Sequence, residues 1–312
     1  MATIANTSDS AALNAALDQE FVKNFQGDAT RLMEILGIFG VETVAAGTTL
    51  KMLKVIGALN NSKTDASKAD GTGTGAVTLG SSSGTAYIEG DEVALSKFSA
   101  SYDPVGEVTA RPYRKMTTAA AIQKSGYVNA VLKTDQKMES LLYADVVSQF
   151  FTFLATGTGT ATGKGLQACA ANVDATLGDT LETNGDSTSR IIHFVSRQDA
   201  AEYIGGATIT DQSAFGLTYL ENFVGLTNVF LTNKVAKGTM YATPAENLHL
   251  FGTDFSALAQ AGLPYATDAD GLIGIAHTPA YDRVSVETNV LTGCTIFPEV
   301  KDYIVKGTIS TK

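Results

Sequence analysis

The chain has 312 residues, enough for one large domain or two ordinary ones with a real core. Charged residues make up 17% of it, and 22 Lys and Arg against 32 Asp and Glu leave a net charge of −10. That excludes a generally basic, nucleic-acid-gripping surface, though not a local basic patch, and two cysteines exclude a disulfide framework or a four-cysteine zinc site. With so little charge, the surface must rely on Thr, Ser, Asn and Gly or be covered by partners.

The first residues have neither a basic n-region nor an apolar h-region, so no signal peptide and a cytoplasmic origin are expected. No run approaches the roughly 18 apolar residues of a membrane span. Residues 8–37 predict two short helices. Leu13, Leu17, Phe21 and Phe25 recur at four-residue steps, Gly27 ends the first helix, and Asp28 caps a second that carries Leu32, Ile35 and Leu36. The polar face is weak, so this arm is expected to lie on something, its own core or a neighbour.

Residues 48–57 and 86–102 predict strands. Between them, Ala58 to Ala86 is 29 residues of small and polar types broken only by Leu59, Val77 and Leu79. A compact domain rarely holds a structureless loop longer than about 12–15 residues, so a long two-stranded arm projecting from the body is expected. Pro104–Lys115 predicts a strand whose prolines at 104 and 112 place it at a sheet rim. Ala119–Asn129 predicts a short helical or mixed segment.

The strongest helix is 134–155. Met138, Leu142, Val146, Phe150 and Phe153 form its stripe, and Leu141, Val147, Phe151 and Leu154 widen it beyond one face. Thr134 is its expected N-cap, Asp135 favours the helix dipole, and Gly157 stops it. Such a rod is about 33 Å long and packs on more than one side. Residues 156–165 then predict a flexible connector. A helix over 166–177, a buried strand over 191–195 and a helix over 197–204 follow. Short strands are expected at 229–232, 239–242, 283–286, 294–297 and 303–309. The class is α+β with irregular topology.

No motif carries credible enzyme chemistry. Gly163-Lys164 would need Gly at position 158 and Ser or Thr at 165 to read as a phosphate loop, and those positions hold Thr158 and Gly165. Gly71–Gly75 lacks the spacing of a dinucleotide site. Gly80-Ser-Ser82-Ser-Gly84 matches a nucleophile elbow but lies in a polar tract without strand or helix around it. Asp268-Ala-Asp270-Gly271 resembles part of a calcium loop, but Ala266 and His277 stand where ligands belong, so a polar turn is expected. His193 reads as a satisfied core histidine. His249 and His277 lack spaced metal partners, the acids are scattered singly, and Cys169 and Cys294 read as buried thiols. No catalytic residue, metal or cofactor is expected.

The ordered set of elements resembles the major capsid protein of tailed bacteriophages, with the Hong Kong 97-type capsid fold. Lys133-Thr-Asp-Gln-Lys-Met-Glu-Ser-Leu-Leu-Tyr-Ala-Asp-Val-Val-Ser-Gln-Phe150 is similar to the spine helix, running out into Gly-Thr-Gly-Thr. His193–Ile204 resembles the opening strand and helix of the axial domain, and Phe215–Leu226 with Val229–Thr239 its later strands. The resemblance implies an N-terminal arm over 1–45, an extended two-stranded loop over 46–100 with its tip at 58–86, and an axial domain over 166–269. The peripheral domain with the long spine helix would comprise 101–165 and 270–312, the tail returning to the peripheral sheet.

It further implies a homo-oligomer of hexamers and pentamers closing into an icosahedral shell in the virion, assembled in host cytoplasm. The shell would enclose DNA without sequence-specific binding and without a membrane. Scaffold, portal and decoration proteins are the other implied partners; with no long scaffolding segment before the arm, a separate scaffold or its removal is expected. The assembly interface would include Leu50, Met52, Lys63, Lys68, Tyr87 and Val93. Lys63 and Lys68 give no support to a self-catalysed crosslink. A net charge of −10 suits a shell whose interior need not grip its genome. The rival readings are a bacterial nanocompartment shell and a Thr/Gly-rich surface-binding module.

Overall fold

The structure, a computed structural model, describes residues 10–38, 40–58, 97–188, 190–204, 212–214, 217–223, 226–263 and 265–310. They fall into two compact units. Residues up to Thr48 and from Val108 onward make a body, and Thr49–Glu107 make a smaller unit.

The body opens with one helix, α1 (Ser10–Leu36), where two were expected. Gly27 stays helical at a cost of about 1 kcal/mol relative to Ala. The stripe crosses it unbroken: Phe21, Phe25, Ala29, Leu32 and Leu36 are all buried, each large side chain contributing about 1.5–3 kcal/mol. The helix ends instead at Gly37, whose φ of +72° suits a residue without Cβ. There the Ile38 amide donates to the Met33 carbonyl at 2.9 Å, and the Arg190 guanidinium donates to the Ile35 carbonyl. The segment expected as an arm is therefore part of the main core of its own chain.

Next come β1 (Val41–Val44), β2 (Thr48–Ala58), β3 (Lys97–Val108) and β4 (Arg111–Thr118). The single strand expected over 104–115 is thus two, parted at Thr109-Ala110. Helix α2 (Ala119–Ser125) is capped by the Thr118 hydroxyl, which accepts from the Ala121 amide at 3.3 Å. A π-helical turn (Val128–Leu132) runs directly into α3 (Lys133–Leu154). Because the helix is already wound before it, Thr134 is not an N-cap: its hydroxyl donates back to the Ala130 and Val131 carbonyls.

The expected connector contains a strand, β5 (Gly159–Lys164), followed by α4 (Gly165–Asn184), β6 (Ile191–Ser196) and α5 (Arg197–Ile204). Helix α4 runs seven residues past the expected end because Leu181 is buried and Thr180 and Thr183 donate to carbonyls four residues back. Then come β7 (Gln212–Ala214), β8 (Leu217–Phe223), β9 (Leu226–Thr232), β10 (Thr239–Pro244), β11 (Leu248–Thr253), α6 (Ser256–Gln260) and β12 (Ala266–Thr267). The chain closes with β13 (Ile273–Ala280), β14 (Ser285–Thr292), β15 (Thr295–Pro298) and β16 (Val305–Ser310).

Three sheets organise the body. One has the order β5-β16-β10-β6-β9-β8-β7, a second β12-β13-β14-β4, and a third β1-β11-β15. The tail therefore divides: β14 pairs with β4, and β16 lies between β5 and β10 in the largest sheet. There Val305 faces the α4 core, which holds the strand in that sheet. Strand β6 is buried on both faces, which explains its unbroken apolar run. Ile192 and Phe194 join the core under α1 and α3, while Val195 joins the cluster under α4. On the first side Phe194 meets Phe150, Phe151 and Phe230, each at 5.3 Å between centroids.

In the smaller unit, β2 and β3 pair with each other and with no other described strand.

Candidate functional site

The residues expected at an assembly interface are only partly in view. Leu50 is half-buried in β2, and Met52 lies on the same strand. Lys63, Lys68, Tyr87 and Val93 lie outside the described residues, as do Ser82 and the Gly71–Gly75 tract. The β2–β3 unit does present large apolar side chains to solvent: Val55, Phe98 and Tyr102 are each more than half exposed. Phe98 and Tyr102 are four residues apart on one strand, so they share a face.

A second surface was not anticipated. The segment from Arg111 to Lys137 holds six cations, Arg111, Arg114, Lys115, Lys124, Lys133 and Lys137, against the single acid Asp135. It nets +5 in a chain of −10. The signal was legible as a local reversal of charge sign, which the whole-chain balance hides. Strand β4 and the start of α3 frame a groove of about 310 Å³, with Tyr113, Met138 and Leu142 as its apolar lining and Arg114, Lys115 and Lys137 the only three of these cations that line it. Leu141 also borders it and is more than half exposed, as are nearby Met116 and Val128.

On the inner face of the same sheet lies a buried ionic chain. His277 Nδ1 is 2.5 Å from Asp18 of α1, and its Nε2 is 3.2 Å from Asp135 of α3. Asp135 also takes Lys115 Nζ at 2.5 Å and the Thr288 hydroxyl at 3.4 Å. The register His277↔Thr288↔Lys115 puts the three on one row across β13, β14 and β4. Burial works against a charged His277, but hydrogen bonds and charge from Asp135 and Asp18 outweigh it and push the imidazole up to about 9. Burial likewise raises Asp135, yet hydrogen bonds from His277 and Lys115 leave it below the ordinary carboxylate value. Neighbouring Arg111 and Tyr113 both bond Asp145 of α3. These contacts pin α1 and α3 to one sheet. They supply no nucleophile beside a base.

His193 is buried and bonds Asp174 at 2.6 Å, but its Nδ1 has no partner among the described residues, so it is only half satisfied. His249 lies between Glu299 at 3.0 Å and Glu42 at 4.0 Å, and the hydrogen bond to Glu299 raises its pKa. The Asp268 turn is polar as expected: its carboxylate accepts from the Leu272 and Ile273 amides. Gly163 serves close packing, since a Cβ there would come within 2.2 Å of the Cys169 amide nitrogen.

Cys169 and Cys294 are fully buried and lie in separate core clusters. Burial pushes their thiols up to about 11 and about 12. Replacing both with Ala should cost about 1–3 kcal/mol of packing and leave assembly unchanged. A disulfide ladder from assembled wild-type protein on a non-reducing gel would contradict the burial of both thiols.

No family model matches the sequence, and no curated protein does. Among solved structures, the chain is similar to the capsid of the cyanophage P-SCSP1u at 9% identity and a TM-score of 0.49, covering 90% of this chain and 88% of that one. It is similar to Mycobacterium phage Ogopogo at 8% identity and a TM-score of 0.49, covering 89% and 91%. A third similar structure is the holo-SrpI encapsulin complex from Synechococcus elongatus, at 8% identity and a TM-score of 0.46, covering 70% and 79%.

Proposed function

We propose that this chain is the structural subunit of an icosahedral phage head with the Hong Kong 97-type fold, assembling as hexamers and pentamers around packaged DNA. Its work is then to build a shell, in the virion and earlier in host cytoplasm, rather than to catalyse a reaction. The observation that carries the reading is the β2–β3 unit. It contains Val55, Phe98 and Tyr102, all largely exposed, and its strands pair with no other described strand. Exposed apolar side chains on a ribbon that pairs with no other described strand suit burial against another subunit. On this reading 49–107 is the extended loop, with the body on either side of it, and α1 belongs to the body.

Negative-stain microscopy of the expressed full chain is the direct test. Closed shells are expected; monodisperse monomers at high concentration would sink the reading. DNA-filled particles after phage infection mark a head, whereas shells copurifying with a stoichiometric enzyme would mark a nanocompartment.

The loop gives a sharper test. Residues 60–85 hold few large apolar side chains, an apolar content too small to build a core. Replacing them with a short Gly-Ser turn should leave thermal unfolding of the isolated subunit almost unchanged and abolish or distort shell closure. Normal shells from the shortened chain would remove the loop from the assembly mechanism.

A further inference from the structure

Lys133, Lys137 and Leu141 stand at four-residue steps along one line of α3, and all three are exposed. Local rules disfavour this arrangement. Like charges at i,i+4 repel. No carboxylate pairs with Lys133 or Lys137 among the described residues. The chain enters this stretch through the π-helical turn, a feature frequent at functional sites. Positions that break local preference without compensation are where function is expected.

We propose that the groove between β4 and α3 receives an acidic, apolar-anchored surface of a second copy of this chain. That would make it one half of the head-to-tail contact that joins subunits. The proposal rests on the shell reading and names the surface that reading needs. The charge identifies the occupant. Arg111, Arg114 and Lys115 are already paired with Asp145, Glu287 and Asp135, so among the described residues Lys133 and Lys137 carry the positive charge left free beside the groove, and another copy of a chain with net charge −10 supplies the complement. A basic patch and its acidic complement at different places on one chain give a heterologous contact, which closes into rings when its rotation permits. The apolar lining separates this from a phosphate track. Tyr113, Met138 and Leu142 offer room for an apolar side chain, and Arg114 is already engaged by Glu287.

The test uses the full chain carrying Lys133→Glu with Lys137→Glu, and separately Leu141→Asp. Sedimentation velocity and thermal unfolding are measured beside wild type at low and high salt. Both variants should unfold with wild type, because the altered side chains are exposed. Their association should weaken at least ~10-fold, and wild-type association should itself weaken in salt. Variants that assemble like wild type overturn the groove while leaving the shell reading intact. A wild-type chain that stays monomeric overturns the shell reading itself and this proposal with it. A duplex oligonucleotide that binds wild type but not the double variant would assign the groove to phosphate and overturn the proposal too.

Discussion

Phe150→Ala should cost the subunit about 3–5 kcal/mol and leave the expressed chain insoluble or unfolded. Phe150 is fully buried at the middle of α3. Its ring lies 5.4 Å from Phe151 and meets Phe194 edge-on at 5.3 Å and 70°. Truncation removes the transfer free energy of the ring, leaves a cavity between α3 and β6, and forfeits aromatic pairs worth about 0.5–1.5 kcal/mol each beyond their burial. Against a typical net stability of about 5–15 kcal/mol, that is a large share. Leu141→Ala on the exposed line of the same helix is the control, expected within about 0.5 kcal/mol of wild type by urea titration. A soluble, cooperatively folded Phe150→Ala chain of wild-type midpoint would mean that α3 is not the centre of the core.

The contrast between these two leucine and phenylalanine positions shows where sequence reasoning stops. Apolar spacing alone put Leu141 in the widened stripe with Val147 and Phe151, because periodicity identifies a face but not what covers it. The structure covers the side that bears Phe150 and Phe151 and leaves Leu141 in solvent. Helix α3 and strand β6 were readable because buried apolar residues recur along their whole length. Strand β5 was not: Gly159–Lys164 is held by pairing with β16 and by close approach to α4, and neither partner is local. Helix α1 ran through Gly27 because tertiary burial outweighs a one-residue penalty.

The ionic chain was hidden for a related reason. Asp135 and Asp18 lie 142 and 259 positions from His277, and no motif spacing links them. Two local signs were present: a histidine inside the apolar run Gly274-Ile-Ala-His277, and one acid alone among the cations of 111–137. Composition offered the basic patch in the same quiet way.

That ionic chain carries the second large effect, and it is pH-dependent. His277 titrates at about 9 in the fold, above its ordinary 6.5. A raised folded pKa contributes stability that is fully present below the unfolded value and is lost as pH rises through the folded one. Its share, about 2–3 kcal/mol once coupling to two carboxylates is discounted, should therefore fade between about 6.5 and 9. Asp135 works in the opposite sense. Its folded pKa is depressed from 3.8, so its contribution is present above that value and fades as pH falls below it. The chain should be firmest between these limits, at mildly acidic pH. Urea unfolding at pH 6 and pH 9.5 should show wild type losing more stability than His277→Gln across that interval, the difference isolating His277 from the other groups that titrate there. Asp135→Asn should cost about 3–5 kcal/mol at pH 6, because it leaves Lys115 and His277 facing a neutral amide in a buried site. Equal pH dependence in wild type and His277→Gln would show that the imidazole gains nothing from its carboxylates, and the pinning of α1 to β13 would then rest on apolar packing alone.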